Sequence, residues 1–178
     1  MLGRRRPSDP LADIRPEAAP PHLRTLVEDA LAARRRWTAT ADRFATGPLQ
    51  GRVRELGGQI DTGVRAIWEA ALRLGELERV TASIDAGQIT ADYKAAKRDP
   101  RAQPGLIEAL EAKHRAAHRL LNAVDDAAAR LRLLDVRLDA AVLQATELLL
   151  TGREEPTTEL ASVLEELDLL QRSLDQLG

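Results

Sequence analysis

Between residue 49 and residue 177 the apolar side chains of this chain recur at steps of three and four. One stretch reads Leu49, Val53, Leu56, Ile60, Gly63, Ile67, Ala70, Leu74, Leu77, Thr81, Ile84. Another reads Leu160, Val163, Leu167, Leu170, Leu174, Leu177. Steps of three and four hold side chains on one stripe of an α-helix. A stripe of that width is made to lie against another helix. The repeat fixes an all-α fold and names no reaction.

Composition supports the same class. Charged residues make up 30% of the chain and aromatic residues 2%, the profile of long helices with charged outer faces. A β-sandwich needs more aromatic and β-branched residues. With 28 acidic and 26 basic side chains the formal charge is -2. A dedicated nucleic-acid binder needs a basic surface, so none is expected. Cysteine is absent, which excludes disulfides, thiolate metal sites and Cys nucleophiles. No run of 18 apolar residues occurs, so no transmembrane helix is expected. The opening Met1-Leu2-Gly3-Arg4-Arg5-Arg6 has the basic character of a signal peptide, but Pro7-Ser8-Asp9-Pro10 follows where an apolar segment should stand. A cytoplasmic location is the expectation, with the inner face of the membrane as an alternative.

Residues 1–21 hold five of the nine prolines and read as a flexible Pro/Arg-rich arm. Residues 22–178 read as one helical domain, with helices expected over about 22–45, 48–85, 106–150 and 156–177. Residues 86–105 form a connector, with a short helix over about 89–97 capped by Thr90. The helices 48–85 and 106–150 are of similar expected length and make a long antiparallel, coiled-coil-like hairpin. The other two flank it, giving a four-helix-bundle-like fold. The alternative is an extended rod whose unused stripes meet in a dimer. Gly51, Gly57, Gly58, Gly63 and Gly75 in the second helix imply close approach of a neighbouring helix or a bend, and Gly57-Gly58 is a candidate hinge.

The one metal-like constellation is Glu111-x-x-His114-x-x-x-His118. Its spacing puts three ligand types on one helical face, as in Glu-x-x-His bundle sites. The second histidine motif of such sites is missing, so a metal-dependent enzyme is the remote alternative. The serines Ser8, Ser83, Ser162 and Ser173 sit in no nucleophile elbow. No Gly-rich phosphate loop is present. No cofactor, catalytic residue or small-molecule substrate is therefore expected.

Charge is unevenly spread. Residues 1–54 carry 11 basic and 6 acidic side chains, and residues 151–178 carry 2 and 7. Arg4, Arg5, Arg6, Arg34, Arg35 and Arg36 are candidates for contact with an anionic lipid surface. The same basic end could instead attract the acidic last helix, within one chain or between two. In helix length and charge the chain resembles the long helical hairpins of membrane-remodelling proteins, the phage-shock class and BAR domains among them. That resemblance implies membrane contact. It departs at the proline-broken arm, where the phage-shock class has an amphipathic helix.

These readings lead to a non-enzymatic scaffold or adaptor that self-associates or docks a protein partner, with a homo-oligomer expected. The sequence points to Leu160, Val163, Leu167, Leu170, Leu174 and Leu177 as the interface. The alternative is a peripheral membrane protein acting through its arginine-rich end.

Overall fold

The structure, a computed structural model, describes residues 9–44, 46–152 and 158–177. Among these residues are five α-helices and no strand: α1 (Pro21–Ala41), α2 (Gln50–Thr81), α3 (Ala86–Arg98), α4 (Pro104–Thr151) and α5 (Thr158–Leu177). Short 3-10 turns occupy Pro16–Ala18 and Asp42–Phe44. The chain is all-α, as the repeat requires.

Local chemistry sets the helix ends. Pro21 and Pro104 stand at first helical positions, where a missing N–H costs nothing. Asp85, not Thr90, caps α3: its side chain accepts the Gln88 N–H at 2.8 Å. The helix in the connector therefore begins at Ala86. Gly152 closes α4 in the left-handed region at φ 67°, the conformation glycine adopts without strain.

Side-chain pairs fix the direction of each helix. His22 meets Glu78 and Arg34 meets Asp61, so α1 and α2 are antiparallel. Arg130 reaches Glu166 while Arg137 reaches Glu159 and Glu166, so α4 and α5 are antiparallel. Glu69 meets Gln171 and Arg73 meets Asp175, so α2 and α5 are parallel. It follows that α2 and α4 are antiparallel. Each of them packs against both α1 and α5. In cross-section α2 and α4 form the short diagonal of a rhombus, and α1 and α5 are its two flanks. The core lies along that diagonal and includes Leu23, Val27, Ile60, Ile67, Leu74, Leu131, Leu138, Leu160 and Leu167.

The arms of the hairpin are not of similar length. Helix α2 has 32 residues and α4 has 48, about 48 and 72 Å at 1.5 Å per residue. Gly63 lies against Leu138, so the end of α2 at Thr81 comes level with about residue 120 of α4. The first four turns of α4 run past the end of α2, and α3 packs beside them, Tyr93 on His114 and Thr90 on His118. No residue of α3 is buried, and Ala117 alone is buried in α4 before Val124. The connector is thus half of a two-helix projection.

The expected flexible arm over residues 1–21 does not describe residues 9–20. Leu11, Ile14 and Ala19 are buried in the core. Arg34 holds Asp9 at 2.7 Å, and Arg65 holds Asp13 at 2.7 Å and the Pro10 carbonyl at 2.6 Å. Proline prevents a helix here, yet it also lowers the entropy lost when the segment is laid down. Residues 1–8 lie outside the described residues.

Two of the glycines in α2 permit close approach. A Cβ on Gly75 would overlap Pro20 Cγ, and one on Gly63 would stand 3.0 Å from Leu138 Cδ1. The helix runs unbroken through Gly57-Gly58.

Candidate interaction surface

The stripe of α5 is already occupied. Leu160, Val163, Leu167, Leu170 and Leu174 are buried, and Leu177 packs at the edge of the same core. They face α2 and α4 of their own chain. Covering the α2–α4 hairpin uses the whole stripe, so it offers nothing to a partner while the bundle is closed.

The arginine candidates divide. Arg4, Arg5 and Arg6 lie outside the described residues. Arg34 bridges Asp9 and Asp61, both at 2.7 Å, and Arg36 pairs with Asp139. Arg35 is exposed. The acidic α5 finds its cations on α4 and α2, not on α1. Arg137 Nε donates to Glu159 at 2.8 Å and Arg137 Nη1 to Glu166 at 2.5 Å. The guanidinium of Arg137 holds the Glu166 carboxyl below its ordinary range. The expected pairing of basic first helix with acidic last helix is thus replaced by an arginine ladder on α4.

Glu111, His114 and His118 sit on the projection. The His114 and His118 rings meet at 4.4 Å with their planes tilted by 51°, and Tyr93 lies 5.3 Å from His114. His118 Nε2 and Thr90 Oγ1 are 3.2 Å apart, and Glu111 turns to Arg115. His114 holds α3 to α4 by ring contact with Tyr93, and His118 does so by its hydrogen bond with Thr90. Among the described residues no group of three His, Cys, Asp or Glu is placed to hold a metal ion.

A second stripe was legible in the sequence and was missed. On α4, the repeat Leu131, Leu134, Leu138, Val142, Ala145, Leu149 faces the core. Offset from it by one or two residues runs Leu133, Val136, Ala140, Leu143, Glu147, Leu150. At 100° per residue this second stripe is about 100° wide and points away from α2. Leu133 is 56% exposed, Val136 65%, Leu143 53% and Leu150 57%. Ala140 and Glu147 are exposed with them. Helix α4 occupies an obtuse corner of the rhombus, so its outer face is a ridge between receding flanks. The apolar edge is on the order of 400 Å², as large as the biggest patch of a typical monomer.

Beside the ridge lies an unusual carboxylate. Asp135 is 6% exposed at the α1–α4 seam. It borders a cleft of about 180 Å³ lined by Asp29, Arg36, Val136 and Asp139. Burial, then repulsion from Asp29, pushes its pKa from 3.8 to about 7.

No helix among the described residues is long and apolar enough to cross a membrane. Compared with protein-family models, curated proteins and solved structures, the chain matches none.

Proposed function

We propose that this chain is a non-enzymatic scaffold or adaptor that acts by helix–helix docking, and that the outer ridge of α4 is its docking surface. The observation behind the reading is the second apolar stripe, half or more exposed over five turns. An apolar edge of this size and regularity favours protein contact over solvation. Covering each half-exposed Leu or Val yields about 1 kcal/mol. The helices beneath it are held by a full core and by the Arg137 ladder, so the ridge is presented on a rigid support.

A photo-crosslinking residue in place of Val136, expressed in the producing cell, tests this. Adducts with any protein, absent when the probe replaces the exposed Ala39 of α1, are the expected result. A probe at Val136 that captures nothing overturns the proposal.

A further inference from the structure

We infer that the occupant of the α4 ridge is a second copy of this chain, laid antiparallel along it. This rests on the docking reading above and adds the identity and direction of the partner. Three features point to it. The ridge runs about 33 Å from Ala129 to Leu150 with the 3-4 spacing that a single straight helix fills. It stands at a convex corner, so two bundles meet ridge to ridge without a clash between their flanking helices. Covering both copies over that length buries on the order of 1,200 Å², the lower bound for a specific interface.

Charge sets the direction. Glu147 lies within the stripe, while Arg130 and Arg132 flank its other end. Neither Arg132 nor Glu147 has an ion-pair partner among the described residues. Parallel pairing would set Glu147 against Glu147 on an apolar seam, a like-charge contact with desolvation on both sides. Antiparallel pairing removes it. In the register that sets Leu133 against Leu143 of the other copy, Val136 meets Ala140. Glu147 then meets the small Ala129, between Arg130 and Arg132. Each contact occurs twice about the two-fold axis, as an isologous interface requires.

The absence of cysteine in the chain makes the test clean. Light scattering of the purified protein should give the mass of two chains. A mixture of Leu133→Cys and Leu143→Cys chains should form disulfide-linked dimers under mild oxidation, and neither variant alone should. Cα atoms must come within about 7 Å for that bond, and in this register only the mixed pair does. The double variant L133E/V136E should keep its helical circular-dichroism spectrum and raise the dimer dissociation constant by roughly tenfold or more. Crosslinking of each single variant to itself would mean parallel pairing and would overturn the inference. A monomer mass at all concentrations would overturn it too. In that case, adducts of the Val136 probe with another protein leave the docking reading standing, and no adducts remove both.

Discussion

Replacing Asp135 by Asn should stabilise the protein, and by an amount that depends on pH. The carboxyl is 6% exposed and has no hydrogen-bond partner among the described residues. It faces Asp29 from α1, and Arg36, which lines the same cleft, is committed to Asp139. Its folded pKa is about 7 against 3.8 unfolded, so the folded protein takes up a proton between about pH 4 and 7. Stability from the neutral form is complete below about pH 4 and is lost as pH rises through 7. Three pKa units correspond to about 4 kcal/mol. Asn has the same shape and stays neutral. At pH 4 the two proteins should melt together. At pH 8 the variant should melt roughly 10 °C higher, at about 2–4 °C per kcal/mol for a chain of this size. Thermal melts followed by circular dichroism at pH 4, 6 and 8 read this directly. A gap that stays constant across the series would refute the reasoning, because no proton would then be linked to folding at this position.

Other outcomes follow from the same packing. Leu167→Asp places a charge in a fully buried position of the core and should cost about 3 kcal/mol or more; a folded protein with an unchanged melting temperature would show that α5 is not packed as described. Gly75→Ala drives a methyl into Pro20 Cγ, so it should cost about 1–3 kcal/mol and speed proteolysis within residues 9–20. The carboxyls of Asp9 and Asp13 are held below their ordinary range, by the Leu11 N–H and Arg34 and by Arg65 respectively. Their hold is present above about pH 4 and lost as pH falls below it, so cleavage of the same segment should rise in acid and stay low at pH 7. Amide exchange should be faster across α3 and residues 104–120 than across residues 124–149, since the projection has one packed layer and the bundle has two; equal protection would contradict that division.

The helices were legible because period and punctuation are local. Pro21, Pro104 and Gly152 mark ends that agree with the structure within a few residues. The hairpin with two flanking helices followed from continuous stripes and from a connector that can reverse the chain's direction. Three features were not legible, for different reasons. A stripe announces that it will be covered, not by what, so the strict leucines of α5 looked like an interface and proved to be core. Arg34 and Arg65 capture Asp9 and Asp13 across 25 and 52 residues, and no local pattern foretells such contacts. The ridge on α4 failed to stand out because two repeats interleave on one helix, and the stronger one draws the eye. The same crowding hid Asp135, which looks like one more surface acid until α1 is laid over it.

Helix α4 runs without Pro or Gly from Leu106 to Thr151, through both the bundle corner and the projection. It is one beam with a fulcrum near residue 138 and a free end at Pro104, about 50 Å apart. A ten-degree tilt at the fulcrum swings that end through about 9 Å. Whatever grips the ridge therefore also aims the whole projection, from the Tyr93, His114 and His118 cluster near its base out to its end at Pro104, and it does so by stiffness alone.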